Sequence, residues 1–236
     1  DPTKNKRLPE NWDFLIKEYG KRTYPLGMFV IGSFGWVRNF IGDERLMYMI
    51  YDDPDFLHDM INYGIEFYKK YMSLIFESVV PDFILLWEDM CYKNGPLISL
   101  DSFREFMLPY LNELISLAKN YGVEGILIDC DGDMTEMIPL FLESGANMFY
   151  PFEVQSGMDL VKKKKKYGKE FTVLGGIDKR ALALGKREIQ DEVNRVYPQM
   201  IDLGGFIPHL DHSCPPNVSL DMFKYYLDYS RNIIGI

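Results

Sequence analysis

The sequence predicts an α/β fold, a parallel (βα)8 TIM barrel of which about six βα units are present. Three observations predict it: short apolar runs, helical stretches between them, and polar residues where the runs end. Gly27–Gly32, Asp82–Trp87, Gly125–Asp129, Asn147–Pro151, Phe171–Gly175 and Gly205–Pro208 are nearly continuous apolar runs. Strands covered by helices on both faces read this way, whereas half-exposed strands alternate.

The helical stretches have readable boundaries. Pro54 to Val79 follows Asp52-Asp53, opens with a proline suited to a first turn and stops before Pro81. Leu100 to Asn120 carries Phe103, Phe106, Met107, Tyr110, Leu111, Leu114 and Leu117 as a helical stripe. Met134 to Glu143, Met158 to Tyr167 and Lys186 to Leu203 repeat the pattern. No linker interrupts them, so residues 1–236 read as a single domain. A doubly wound nucleotide fold normally has a glycine-rich turn after its first strand, and Gly32-Ser33-Phe34-Gly35-Trp36 matches neither GxGxxG nor the P-loop. Six units against eight, with a start at Asp1-Pro2-Thr3 rather than Met, lead to the expectation that about two units are missing at the N-terminal side.

Composition narrows the function. The chain has 236 residues, a net charge of −9, 47% hydrophobic and 15% aromatic residues, enough for a sizeable core and unlike a disordered acidic tail. Nucleic-acid binding through bulk positive charge is excluded, which leaves small-molecule chemistry. Cys91, Cys130 and Cys214 show no CxxC spacing, so a reducing, cytoplasmic setting without disulfides is expected. No apolar run approaches the ~20 residues of a membrane span.

Candidate chemistry gathers at the strand ends, which form the catalytic rim of a βα barrel. After Ile128, a period of two would put Asp129 and Asp131 on one face and Cys130 on the other. Two such carboxylates suit a divalent ion or a general acid/base pair, while a helix-capping role remains open for Asp131 and is the reading for Asp133. His209-Leu210-Asp211-His212-Ser213-Cys214 is the densest polar cluster, with His209 and Asp211 expected on one face and His212 where strand gives way to loop. Glu153 follows another strand as a ligand or acid/base. Gly175-Gly176-Ile177-Asp178-Lys179-Arg180 reads equally as a ligand-approach loop or as a turn with a helix cap. His58 reads as structural, Lys162 to Lys166 as a solvated helix face, and the many Met and Tyr residues as core. A thiolate metal pair from Cys130 and Cys214 is disfavoured by orientation.

The strand ends Trp87-Glu88-Asp89, Asp129-Cys130-Asp131-Gly132-Asp133, Pro151-Phe152-Glu153, Gly175-Gly176-Ile177-Asp178-Lys179 and Asp211-His212-Ser213-Cys214-Pro215-Pro216 together resemble the uroporphyrinogen decarboxylase-like superfamily, which includes corrinoid-dependent methyltransferases. The resemblance implies a (βα)8 barrel with extra N-terminal helices. It aligns Asp129, Asp131 and His212 with the His, Cys and Cys ligands of the zinc-dependent branch, which leaves Asp129, Asp131, Glu153 and His212 as an O/N-ligand set for a divalent metal such as zinc. It implies catalysis by His212, Asp129, Asp131 and Glu153, and substrate binding by Trp87, Glu88, Asp178, Lys179, Arg180 and Asp211. The expected activity is methyl transfer from an O- or N-methylated small molecule to a corrinoid carried by a partner protein. The alternatives are metal-free decarboxylation of an acidic tetrapyrrole and a binding homologue without turnover. Neither nucleic acid nor membrane enters as a partner, and the resemblance leaves room for a homodimer.

Overall fold

The computed structural model describes residues 1–2, 7–169 and 171–235. It begins with α1 (Trp12–Tyr19), β1 (Gly27–Ile31), α2 (Ser33–Ile41), α3 (Asp43–Asp52), α4 (Pro54–Phe76) and β2 (Phe83–Trp87). A small hairpin of β3 (Cys91–Tyr92) and β4 (Gly95–Pro96) precedes α5 (Leu100–Ser102), a π-helical turn at Phe103–Met107 and α6 (Leu108–Asn120). Then come β5 (Gly125–Asp129), α7 (Ile138–Ser144), β6 (Met148–Tyr150), a short turn at Val154–Ser156, α8 (Leu160–Tyr167) and β7 (Thr172–Ile177). The chain finishes with α9 (Lys179–Leu184), α10 (Lys186–Leu203), β8 (Phe206–Leu210) and α11 (Leu220–Ile234). These elements form two compact units: Asp1–Met90 with Ile98–Asp129 and Met137–Ala146, and Cys91–Leu97 with Cys130–Glu136 and Asn147–Ile236.

In the first unit β1, β2 and β5 lie side by side and parallel, with Ile31 opposite Trp87 and Trp87 opposite Asp129. The strands therefore finish level, and the residues that follow them emerge at one end. Ile84, Leu86, Ile126 and Ile128 are buried on the apolar runs, each contributing about 1.5–3 kcal/mol of transfer free energy. The long helix α4 forms because Asp53 caps it, accepting from Phe56 N at 3.3 Å, with Pro54 in the first turn. Its stripe of Leu57, Ile61, Ile65, Tyr68, Met72 and Phe76 is buried.

In the second unit β6, β7 and β8 are parallel in that order, with Gly176 opposite His209 and Ile177 opposite Leu210. Side-chain caps start the helices that follow. Asp159 accepts from Lys162 N at 3.0 Å at the head of α8, Asp178 from Arg180 N at 2.9 Å at α9, and Ser219 from Met222 N at 3.3 Å at α11. Gly175 sits inside β7 at φ 125°, where a Cβ would run into the Pro151 carbonyl oxygen, so the close strand contact requires glycine.

All six apolar runs are parallel strands, and the fold class is α/β as read. Several expectations need correction. The helix expected from Met134 begins only at Ile138, because Asp133 Oδ1 accepts from Thr135 N at 2.9 Å and holds a turn there. The stretch after Gly32 is helical, since its N-terminal N–H groups find a buried carboxylate that sequence spacing does not reveal. Lys164 is buried within the lysine run and donates from Nζ to the Phe171 carbonyl at 2.5 Å, because residue 164 falls on the inner stripe of α8. The tyrosines are divided: Tyr68, Tyr197 and Tyr226 are core, but Tyr24, Tyr48, Tyr51, Tyr63 and Tyr92 are exposed. His58 has a structural setting, bonded to Tyr110 Oη at 3.1 Å and stacked on Phe106. Among the described residues no helix is long and apolar enough to cross a membrane.

Candidate active site

The second unit assembles a charged cluster from three strand ends. Asp211 follows β8 and is fully buried. Its Oδ1 accepts from Lys179 N at 2.9 Å and its Oδ2 from Val154 N at 2.9 Å, while its own N–H donates to the Ile177 carbonyl at 2.8 Å. Burial pushes the Asp211 carboxyl up, against the pull of those two N–H groups and of the Lys179 ammonium at 3.8 Å. Lys179 Nζ lies 3.2 Å from Glu153 Oε1, and both side chains are mostly buried. The other Glu153 oxygen accepts from Gly132 N at 3.0 Å and Ser156 Oγ at 3.4 Å. Burial alone would raise Glu153, but the Gly132 N–H and Lys179 outweigh it and hold the carboxyl below its ordinary value. Phe152, immediately before Glu153, is buried at φ 65°, a strained backbone for a bulky residue and one that aims this loop.

Asp131 and His212 form a second, more accessible pair. His212 Nε2 lies 3.3 Å from Asp131 Oδ2, and the two side chains are 38% and 37% exposed, so a substrate can reach them. His212 also lines a cavity of about 510 Å³ walled by Tyr150, Tyr197, Phe223, Tyr226 and Leu227. His209 lines it too, with its ring edge-on to Tyr150 at 5.5 Å and its Nδ1 2.7 Å from the Leu210 carbonyl. Because β8 ends at Leu210, the alternation does not carry His209 and Asp211 to one face: His209 is exposed and Asp211 buried. β5 ends at Asp129; Cys130 is buried, whereas Asp129 and Asp131 are each half-buried.

Asp178 is a helix cap. Its carboxylate also holds Arg180 Nε at 2.8 Å and a terminal guanidinium nitrogen at 2.6 Å, and it is held below its ordinary value by those bonds, against burial. A groove of about 780 Å³ on α9 and α10 is lined by Lys179, Arg180, Arg195 and four carboxylates, and Arg195 is paired with Glu192 at 2.7 Å.

The expected metal set does not fit. Glu153 is occupied by Lys179 and the Gly132 N–H, Asp131 is paired with His212, and among the described residues no three His, Cys, Asp or Glu side chains are gathered so as to hold an ion. Cys130 is buried with Sγ toward the Asp131 carbonyl, and Cys214 is exposed.

The remaining candidates belong to the first unit. Glu88 is fully buried and accepts from Ser33 N at 3.0 Å and Phe34 N at 2.8 Å, anchoring the start of α2. Burial pushes its carboxyl up to about 7 despite those bonds. Gly32 is required beside it, since a Cβ there would strike the carboxylate. Buried in this way, Glu88 is a structural anchor of α2 rather than the substrate contact expected. Trp87 lies under the Arg38 guanidinium at 5.5 Å, and Arg38 also pairs with Asp89 at 2.8 Å and Asp43 at 2.9 Å. The Asp129 carbonyl accepts from Glu88 N and Asp89 N.

A family model described as uroporphyrinogen decarboxylase (URO-D) matches residues 9–233. The chain belongs to the uroporphyrinogen decarboxylase family. It is 23% identical over 190 residues to the uroporphyrinogen decarboxylase of Sulfurovum sp. (strain NBC37-1), covering 79% of this chain and 51% of that protein. The protein of the same name from Ruthia magnifica subsp. Calyptogena magnifica is 23% identical over 203 residues, covering 82% and 53%. The chain thus spans about half the length of these curated relatives. A methyltransferase from Methanosarcina mazei superposes with a TM-score of 0.69 at 16% identity over 95% of this chain and 65% of that one, and shows that the fold is the TIM-barrel fold of uroporphyrinogen decarboxylase-like proteins.

Within this family fold, sequence reasoning missed the Gly132 N–H that fixes Glu153 and the pairing of the core tyrosines Tyr197 and Tyr226, whose hydroxyls lie 3.1 Å apart. A glycine between two aspartates signals a turn, which is the one available hint of the first; the second carries no local signal.

Proposed function

We propose that this member of the uroporphyrinogen decarboxylase family is a cytoplasmic methyltransferase that moves a methyl group from an O- or N-methylated small molecule to the corrinoid of a partner protein. The observation that carries the reading is the accessible Asp131–His212 pair, whose histidine lines an aromatic-walled cavity. A neutral or aromatic methyl donor suits those walls. The reduced corrinoid is the acceptor substrate: its electron pair forms the new bond to the methyl carbon as the bond to oxygen or nitrogen breaks. The leaving group is poor and needs a proton, which His212 donates while Asp131 orients the ring and balances its charge. Glu153, Lys179 and Asp211 hold the surrounding loops. No step is assigned to a metal, since the donor set does not fit one.

Decarboxylation of an acidic tetrapyrrole is the second reading, favoured by the names of the two curated relatives. Against it stands charge: Glu153 and Asp211 share one lysine, Asp131 is paired with His212, and Arg180 and Arg195 are both committed to carboxylates, which leaves Arg231 as the arginine lining the cavity. The test is methylation of cob(I)alamin by the full-length protein, followed spectrophotometrically across methoxyaromatic and methylamine donors. Transfer lost in His212→Gln and Asp131→Asn supports the proposal. No transfer from any donor, with release of CO2 from a tetrapyrrole, establishes the second reading; silence in both assays leaves a binding homologue.

A further inference from the structure

We propose that the first unit carries a binding site for a small alkylated ammonium ion in the groove between α2 and α4. The inference is independent of the methyl-transfer reading. Trp36 and Phe40 stand one turn apart on α2, and Phe56, Asp59, Met60 and Tyr63 stand on one face of α4. Together they line a cavity of about 300 Å³, the size range of a small ligand. The rings are available: Phe40 is 65%, Phe56 49% and Tyr63 71% exposed. Trp36 lies 4.8 Å from Phe40 and 6.5 Å from Tyr63 between centroids, tilted at 59° and 38°, so the rings present faces at different angles rather than one flat stack.

The chemistry of the lining selects the ligand. Trp36 spends its Nε1–H on the Met60 carbonyl at 3.0 Å, which leaves the indole face as its contribution. An anion would find the Tyr63 hydroxyl as the side-chain donor and Asp59 opposing it. What the groove offers is π faces, a thioether and one carboxylate, the combination that attracts a cation with an apolar skin. Of the cations on the same two helices, Arg38 is paired with Asp43 and Asp89 and Lys69 with Glu66 and Glu113, whereas Asp59 lines the groove. The same aromatic cluster already accepts a cation from the chain itself, since the Arg7 guanidinium lies 5.6 Å over Phe67, which stacks on Trp36 at 6.2 Å. Gly64 lets the indole pack against α4, because a Cβ there would lie 2.5 Å from it.

Calorimetric titration of the full-length protein with choline, and with its neutral carbon isostere 3,3-dimethylbutan-1-ol, tests the site. Choline is expected to saturate one site, with the isostere about tenfold weaker. Phe40→Ala and Tyr63→Ala, both on exposed rings and expected to keep the wild-type melting temperature, should each weaken choline by about fivefold. Asp59→Asn should weaken choline and leave the isostere unchanged. Equal binding of the isostere, absence of saturable choline binding, or wild-type affinity in both ring variants would overturn the proposal whatever the outcome of the methyl-transfer assay.

Discussion

Glu88→Gln isolates the free energy of an ionisable carboxyl buried at the start of α2. In the folded chain the group titrates at about 7 against an ordinary 4.5, because desolvation outweighs the Ser33 and Phe34 N–H bonds. Below pH 4.5 the carboxyl is protonated in both states and stability is at its full value. Between 4.5 and about 7 the unfolded chain releases a proton that the folded chain keeps, so stability falls as pH rises. At about 1.4 kcal/mol per pH unit the loss reaches roughly 3 kcal/mol and then levels off. Glutamine does not titrate. Its one carbonyl oxygen serves one of the two N–H groups while its NH2 faces the other, costing about 1–3 kcal/mol at every pH. The wild type should therefore lead the variant in acid, and the lead should shrink by roughly 3 kcal/mol by about pH 8. Urea unfolding of both full-length proteins across this range measures it. Other groups with raised values, Asp211 among them, slope equally in both proteins and cancel in the difference. A lead that stays constant with pH would refute the reasoning, because Glu88 would then be ionised alike in both states.

Four further outcomes are expected. Lys179→Met leaves Glu153 and Asp211 without their cation and should cost about 3 kcal/mol in denaturant unfolding; it should also raise the Glu153 carboxyl titration seen by 13C NMR, since the lysine is one of the groups holding it down. Asp131→Asn and His212→Gln should lower methyl transfer by about 100-fold or more while changing stability by less than about 0.5 kcal/mol, because both side chains are over a third exposed. Gly175→Ala should lose about 3 kcal/mol or fail to fold, from its φ of 125° and the collision with Pro151, read as expression yield and melting temperature. Asp211→Asn replaces one of two accepting oxygens by a donor and should cost about 1–3 kcal/mol of unfolding free energy.

Gly125–Asp129 was legible because burial on both faces writes itself as uninterrupted apolar residues, whereas β1 and β8 read as apolar runs although Phe29 and Ile207 are exposed and these strands are not covered on both faces. Boundaries set by a single side chain were not: the Asp133 turn displaces a helix start by four residues, and α2 depends on a carboxylate 55 positions away. Of the site, the acidic and histidine strand ends were visible as residue types. Their partnerships were not, since Glu153, Lys179 and Asp211 meet only through folding, and spacing cannot say that the lysine is shared. Periodicity failed at Asp211 because it lies just past the last residue of β8, where alternation no longer governs direction. The exposed tyrosines were misread because amphipathic aromatics suit a core and a binding surface equally.

The bonds of Asp211 tie the segment after β6, the segment after β7 and the end of β8 to one side chain, through Val154 N, Lys179 N and the Ile177 carbonyl. Each of these loops is thereby fixed in length as well as in place, because an insertion ahead of Val154 or Lys179 would pull its amide off the shared carboxylate. Grafting a single loop from a homologue into this chain should consequently unsettle its two neighbours, whereas exchanging all three as a cassette, with the aspartate included, should carry a new specificity across intact.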